Sequence, residues 1–164
     1  FGLYLLIIKF KNRIKLIKIL SFFLILFSIN RIFLYHPYQS LYFNILTPTF
    51  IKNNVDVDYT GLSGLTFLKK LAATEEVDFP IKVSVNSWYP LWRMTELLDE
   101  EEREKILVFG NDKKKDAEYL YSNRIYDVDK KYHKKYDIPA NFKKIEVFEI
   151  DNTIIYEVYK REKK

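Results

Sequence analysis

The chain has 164 residues, enough for one domain of ordinary size, and no cysteine, which excludes disulfide bonds, thiolate metal sites and a cysteine nucleophile. Its formal net charge is +5, but residues 1–34 hold six of the 27 Lys and Arg residues and none of the 22 Asp and Glu residues. The rest of the chain, with 21 basic and 22 acidic side chains, is nearly neutral, and this distribution argues against nucleic acid as a partner.

Two stretches precede the first segment that is long enough to cross a membrane. FGLYLLII, residues 1–8, is apolar but too short to span a bilayer, and we expect it to be the end of a preceding transmembrane helix. KFKNRIKLIK, residues 9–18, is rich in Lys and Arg, and the positive-inside rule predicts a basic turn on the cytoplasmic side.

Residues 14–35 are predicted to form a transmembrane helix. At a rise of about 1.5 Å per residue, roughly 20 residues span the hydrocarbon layer. Lys15, Lys18 and Arg31 lie towards the ends of the segment, where long side chains reach the headgroups. Two alternatives stay open: a signal peptide, although FSINR lacks a small-x-small cleavage site, and a buried core helix, although ILSFFLILFSI has almost no polar face.

The charges around this segment also predict its orientation. Five cations precede the span and one follows its apolar core, so the chain after Tyr35 is expected on the extracytoplasmic side of an inner, cytoplasmic membrane. Pro37 stops helix propagation. Residues 36–54 are then an interfacial connector rich in tyrosine, and residues 55–164 are an extracytoplasmic α/β domain.

Predicted strands and helices alternate along this domain. Strands are predicted, in chain order, in VDVDYTG (55–61), IKVSVN (81–86), ILVFG (106–110), AEYLYSN (117–123), FKKIEVFEI (142–150) and TIIYEVYKR (153–161). Helices are predicted in LSGLTFLKKLAA (62–73) and LWRMTELLDEEEREKI (91–106). This order indicates an α/β fold with a mixed sheet and a C-terminal β-hairpin that turns at Asp151-Asn152. The runs DEEERE and DKKKD are predicted to be solvated.

Few side chains suggest chemistry. No nucleotide-binding or serine-hydrolase motif occurs, and the two histidines, His36 and His133, are too far apart to predict a metal site. Asp56 and Asp58 share one side of the strand predicted at residues 55–61. Such a pair acts as general acid and base or holds a divalent cation, the one cofactor that the sequence suggests. The alternative is that both carboxylates belong to the polar face of a strand end.

Two short stretches carry a resemblance to a known family. HPYQSLYFN (36–44), with HPYQ and YFN, follows the apolar span, and VDVDYTGLSGLTFLKKL (55–71), with DYTGLS (58–63), comes later in the chain. Together they resemble the C-terminal end of bacterial polytopic glycosyltransferases of the dolichyl-phosphate-mannose protein mannosyltransferase-like superfamily, the GT-C class. Thr60 stands where that family usually has tryptophan.

The resemblance implies a function and its partners. Members of this class transfer a sugar from a polyprenyl-phosphate donor to an acceptor on the outer side of the membrane. Their catalytic acidic residue lies in the first extracytoplasmic loop, so the catalytic residue of this chain is unknown and the segment alone is expected to be inactive. The implied partners are the lipid bilayer and the lipid-linked sugar donor.

Five residues are the candidate substrate-binding positions under this resemblance: His36, Tyr38, Gln39, Asp58 and Tyr59. The first three would lie at the outer membrane interface, where a protonated imidazole, a phenol and an amide can bind phosphate or sugar hydroxyls. The alternative is that these three polar side chains tie the helix end to the soluble domain by hydrogen bonds.

Two other function classes stay open. One is a membrane-anchored, non-enzymatic domain that binds a periplasmic protein partner. The other is a soluble α/β protein whose hydrophobic N-terminus has no role in its location.

Overall fold

The computed structural model describes residues 14–38, 47–52, 55–74, 80–127 and 134–162. The chain divides into two compact units, Phe1–Gln39 and Ser40–Lys164. The helix end predicted at residues 1–8, residues 9–13 of the basic turn, residues 39–46 and 53–54 of the connector, and His133 lie outside the described residues.

Helix α1, Ile14–Tyr35, has the bounds that the sequence predicts. Its apolar side chains are exposed on all sides, as expected of a helix surrounded by lipid. The Arg31 guanidinium lies 5.5 Å and 5.7 Å from the ring centroids of Phe27 and Tyr35, so this cation packs on aromatic rings of its own helix. Among the described residues, α1 is the one helix long and apolar enough to cross a membrane, and a signal sequence near an N-terminus has the same features.

The second unit contains a mixed five-stranded sheet, which confirms the predicted α/β fold. Its strands are β1 (Ile81–Val85), β2 (Ile106–Phe109), β3 (Tyr119–Ser122), β4 (Phe142–Ile150) and β5 (Thr153–Arg161). The strand order is β2-β1-β3-β5-β4. Strand β1 pairs in parallel with β2 and β3, whereas β5 pairs antiparallel with β3 and β4. Five of the six predicted strands are therefore confirmed.

The strand predicted at residues 55–61 is wrong, because among the described residues this segment pairs with no strand. The segment turns instead, because the Gly61 N–H donates to the Asp58 carbonyl oxygen at 3.1 Å and Gly61 has a φ of 68°. Its alternating valines and aspartates suggested a strand, but the second aspartate serves the start of the next helix.

The helices of this unit are α2 (Thr49–Lys52), α3 (Leu62–Thr74), α4 (Trp92–Thr95) and α5 (Glu100–Glu104), with 3₁₀ helices at Asn111–Asp116 and Lys134–Tyr136. Helix α3 confirms the prediction for residues 62–73. The single helix predicted at residues 91–106 is two short helices. Asp99 adopts an extended conformation and caps α5 in a capping box with Glu102, and Arg103 donates to carbonyl oxygens at the end of α4.

Aromatic rings fill the core between α3 and the sheet. Phe67 of α3 stacks on Tyr121 of β3 with 5.3 Å between ring centroids, and Tyr121 lies 5.7 Å from Tyr156 of β5. Tyr156 in turn stacks on Phe148 of β4 at 5.1 Å. A smaller cluster of buried side chains covers the opposite face: Ala117, Leu120, Phe142 and Tyr159. Both faces of the sheet are therefore covered, as is typical of α/β folds.

The hairpin turn has the predicted geometry. Asp151 and Asn152 have φ values of 51° and 59°, and two consecutive positive φ angles are those of a type I′ turn. The Lys52 ammonium binds the Asp151 carboxylate at 3.2 Å, which joins α2 to the hairpin.

One charged run is not wholly solvated as predicted. Within DKKKD, Lys114 is buried, and its ammonium donates to the carbonyl oxygens of Lys135 at 2.6 Å and Asp137 at 3.2 Å. Lys113 and Lys115 are exposed. The buried cation therefore fixes the segment after residue 133 against the 3₁₀ helix that follows β2.

Candidate functional site

Asp58 lies at the centre of a buried hydrogen-bond network at the start of α3. The Ser63 hydroxyl donates to Asp58 Oδ2 at 2.6 Å, and the Tyr121 hydroxyl lies 2.5 Å from Ser63 Oγ. Because the serine proton points to the carboxylate, the phenol is the donor to the serine oxygen. Asn123 Nδ2 donates to the Asp58 carbonyl oxygen at 3.3 Å. Asp58 is only 2 % exposed, so this network is shielded from solvent.

Burial raises the pKa of the Asp58 carboxyl above its ordinary value of 3.8. Hydrogen bonds from the Ser63 and Asn123 side chains, and from the backbone N–H groups of Ser63 and Leu62, lower this pKa and only partly offset the effect of burial. The charged form of Asp58 is therefore disfavoured in the folded protein, in spite of these donors.

The pKa of Asp58 predicts a pH-dependent contribution to stability that Asp58→Asn should remove. Below the unfolded-state pKa near 3.8, the carboxyl is protonated in both states and the shift contributes nothing. As pH rises through the higher folded-state pKa, ionisation is harder in the folded protein, so stability is lost. In urea unfolding at a series of pH values, the free energy of unfolding of Asp58→Asn should increase relative to that of the wild type from about pH 4 upward. If the free energy of unfolding of the two proteins varied with pH in the same way, the raised pKa of Asp58 would be contradicted.

Asp56 and Tyr59 lie on the solvent side of the same turn. The Tyr59 hydroxyl donates to Asp56 Oδ2 at 3.1 Å, and Tyr59 is 70 % exposed. This hydrogen bond and the charge of Asp56 raise the pKa of the Tyr59 hydroxyl. Asp56 is thus exposed and bonded to a tyrosine, whereas Asp58 is buried and bonded to a serine. The two carboxylates face different surroundings.

The remaining candidate residues belong to the first unit or lie outside the described residues. His36 follows α1, its N–H donates to the Phe33 carbonyl oxygen at 3.2 Å, and its side chain is exposed. The peptide bond between His36 and Pro37 is cis. Tyr38 is buried, and Gln39 is not among the described residues. Among the described residues, no group of three or more His, Asp or Glu side chains is placed to hold a metal ion.

A second site, which sequence reasoning missed, lies where β1 and β2 end. We name it the aromatic cleft, a depression of about 190 Å³. It is lined by Val85, Ser87, Trp88, Tyr89, Pro90, Leu91, Trp92, Phe109, Gly110, Asn111, Lys135 and Tyr136. Trp88 and Trp92 are 59 % and 52 % exposed. Five aromatic rings thus surround one small opening at the carboxyl edge of two parallel strands, where α/β folds commonly bind ligands.

Three buried polar atoms at this edge have no hydrogen-bond partner among the described residues: Asn86 Oδ1, Ser87 Oγ and Asn111 Nδ2. Asp58 Oδ1 and Thr153 Oγ1 are in the same position elsewhere in the unit. Ser87 is 2 % exposed. A buried hydroxyl or amide without a partner is uncommon and unfavourable, so these atoms call for a partner that the described residues do not supply. The polar residues directly after two predicted strands, in VNSW and FGND, were the signal available in the sequence.

One charged side chain lines the cleft, and it is already paired. Lys135 Nζ lies 2.7 Å from Asp127 Oδ2, and the Tyr136 hydroxyl also donates to Asp127. Hydrogen bonds from Lys135 and Tyr136 lower the pKa of the Asp127 carboxyl. Two further cations border the cleft: Arg93 lies 5.6 Å from the ring centroid of Trp92, and Lys113 lies 5.8 Å from that of Phe109.

The second unit thus has a buried turn built on Asp58 and an aromatic cleft with unsatisfied polar atoms. The hydrogen-bond network of Asp58 is closed to solvent, whereas the cleft is open. Comparison of the chain with protein-family models, with curated proteins and with solved structures found no match.

Proposed function

We propose that this chain forms part of an integral-membrane glycosyltransferase that uses a polyprenyl-phosphate-linked sugar donor. In this proposal α1 crosses the inner membrane and the α/β domain lies on the extracytoplasmic side. The observation that carries the proposal is the geometry of the DYTGLS turn, residues 58–63, in one of the two stretches on which the resemblance to the GT-C class rests.

Three residues that this turn shares with the family pattern, Asp58, Gly61 and Ser63, have roles that depend on their residue type. The other two shared residues are the exposed Tyr59 and the half-buried Leu62. The Asp58 carboxylate accepts hydrogen bonds at the start of α3, and the Ser63 hydroxyl joins it to Tyr121. Gly61 has a positive φ, which favours glycine, and a Cβ there would lie 1.9 Å from Tyr89 Cζ. These constraints explain why the pattern needs Asp, Gly and Ser at these positions.

Thr60, which departs from the family pattern, lies at a position that tolerates different side chains. The Thr60 side chain is exposed, and its backbone carbonyl oxygen, which any residue offers, accepts a hydrogen bond from Tyr89 at 3.1 Å. A change from tryptophan to threonine at this position leaves the turn intact. The departure therefore does not weigh against the proposal.

Two of the described carboxylates are poorly placed to act as a general base. Asp58 is buried and hydrogen-bonded, and Asp127 is paired with Lys135. A general base needs access to the proton that it removes. In the proposal the domain supports and positions a membrane-embedded catalytic part, and the catalytic base lies elsewhere.

The test uses the native product, captured from membranes through a tag at Lys164 and supplied with a polyprenyl-phosphate hexose. We expect sugar transfer by a product several-fold heavier than 19.8 kDa. The compact unit Ser40–Lys164, expressed alone, should be soluble and give no transfer. Sugar transfer by that unit alone would contradict the statement that the catalytic base lies outside it. The absence of transfer by the native product would overturn the proposal.

One observation favours the alternative of an anchored domain that binds a periplasmic protein. Strand β4 is at the edge of the sheet and carries two large apolar side chains, Ile145 and Val147, that are exposed. Such an edge is suited to pairing with a strand of another chain. A native product near 19.8 kDa without transfer activity would favour this alternative.

A further inference from the structure

We infer that the aromatic cleft binds one sugar ring. This inference concerns recognition alone and holds whether or not the chain takes part in glycosyl transfer. It rests on the place of the cleft in the fold, its size, its unsatisfied polar atoms and its aromatic lining.

The fold places the cleft where a ligand is commonly bound. Strands β1 and β2 are parallel neighbours, so the loops after Val85 and Phe109 leave the same edge of the sheet. The 3₁₀ helix Lys134–Tyr136 closes the third side, where Asn86 Nδ2 donates to the Tyr136 carbonyl oxygen at 3.1 Å. Pockets for drug-sized ligands hold roughly 300–1,000 Å³. A cleft of about 190 Å³ suits a smaller ligand, such as a single ring.

The polar atoms define what the ligand must offer. Ser87 Oγ both donates and accepts hydrogen bonds, and Asn111 Nδ2 donates; neither has a partner among the described residues. A wholly apolar ligand would leave both atoms unsatisfied, at the cost that a buried polar group without a partner carries. Sugar hydroxyls donate and accept, so one ring can satisfy both side chains.

The aromatic rings define the other half of the ligand. Trp88 and Trp92 expose more than half of their surface beside the buried Tyr136 ring. Large flat rings with one polar group bind amphipathic partners that have an apolar face and a polar edge. A pyranose has this character, since its C–H groups form an apolar face and its hydroxyls a polar rim.

Cations border the aromatic rings of the cleft. Arg93 lies 5.6 Å from the ring centroid of Trp92, and Lys113 lies 5.8 Å from that of Phe109. Among the described residues of the lining, Lys135 is the charged one, and it binds Asp127 at 2.7 Å. Charge therefore does not select a neutral sugar over a phosphorylated one, and the inference concerns the ring itself.

The chain offers a direct reporter of this site. It contains two tryptophans, Trp88 and Trp92, and both line the cleft. The full chain, held in a detergent without a sugar headgroup, should be titrated with the methyl glycosides of glucose, galactose, mannose and N-acetylglucosamine. We expect a saturable change in tryptophan fluorescence with at least one of them. No saturable change with any of the four, or saturation by inorganic phosphate at lower concentration than by every sugar, would overturn the inference.

Two variants test the assigned contacts. Ser87→Ala and Asn111→Ala should each weaken sugar binding about tenfold, because each removes a hydrogen bond made only in the complex. Neither should lower the thermal midpoint, since Ser87 Oγ and Asn111 Nδ2 have no hydrogen-bond partner among the described residues. The matched control is Thr153→Val, on strand β5 and outside the cleft lining, which removes another buried hydroxyl that has no partner in the described part of the chain. Sugar affinity of Ser87→Ala and Asn111→Ala equal to that of Thr153→Val would overturn the inference.

Discussion

Gly61→Ala is expected to destabilise the second unit by about 3 kcal/mol, which is a large part of the stability of a small domain. Gly61 has a φ of 68°, where an L-residue with a Cβ is disfavoured by about 1–2 kcal/mol. The added Cβ would lie 1.9 Å from Tyr89 Cζ, and overpacking of this kind costs about 1–3 kcal/mol. The Tyr89 ring cannot move without cost, because its hydroxyl donates to the Thr60 carbonyl oxygen at 3.1 Å. Urea unfolding of Ser40–Lys164 measures the effect.

A second glycine provides the matched control. Gly110 has a φ of −69°, and a Cβ there would meet the flexible Asp112 carboxylate rather than a ring. Gly110→Ala should therefore change the free energy of unfolding by no more than about 0.5 kcal/mol. Combining Gly61→Ala with Tyr89→Ala should recover the steric part of the loss but not the part due to φ. Equal stability of the two glycine variants would show that Gly61 does not constrain the turn.

The parts of the fold that could be predicted from the sequence depend on local patterns. The bounds of α1 follow from a long apolar run that ends before Pro37, and the hairpin follows from two Asx residues between alternating strands. Strands β1, β2 and β3 are short apolar runs bounded by polar residues, and all three lie in the sheet. In each case the helix, strand or turn is determined by residues that lie within it.

The errors arise where a residue serves another element. The alternating run that includes Val57 and Asp58 predicts a strand, yet the Asp58 carboxylate accepts a hydrogen bond from Ser63 of α3. Likewise the helix predicted at residues 91–106 is interrupted at Asp99, which adopts an extended conformation to cap α5. Aspartate can end one element and begin the next, and a hydrophobic pattern does not show which it does.

The aromatic cleft could not be predicted because its parts are distant in sequence. Ser87, Asn111 and Lys135 come together only because β2 lies beside β1 and a 3₁₀ helix closes the edge. None of these residues is distinctive by itself. Only the pairing of the strands, which a single sequence does not show, reveals that their polar atoms share one opening.

Ser63→Ala should also destabilise the unit by about 3 kcal/mol, although it removes a single oxygen atom. A hydrogen bond to a charged group contributes about 1.5–3 kcal/mol, and a buried group that loses its partner adds its desolvation cost. Ser63 Oγ serves two buried groups, the Asp58 carboxylate at 2.6 Å and the Tyr121 hydroxyl at 2.5 Å. Urea unfolding of Ser63→Ala, of Tyr121→Phe and of the double variant forms the test. Tyr121→Phe alone should cost about 1 kcal/mol.

The double variant should cost less than the sum of the single ones by about 1 kcal/mol, because the phenol that loses its acceptor in Ser63→Ala is absent. Thr66→Ala is the control: Thr66 lies on the same helix, is exposed, and donates to its own backbone at Leu62 O at 3.2 Å. It should change stability by no more than about 0.5 kcal/mol. Since the Ser63 hydroxyl lowers the pKa of Asp58, its removal should raise that pKa further and make unfolding more pH-dependent above about pH 4. Ser63→Ala with the stability and pH profile of Thr66→Ala would show that the buried network does not hold the turn.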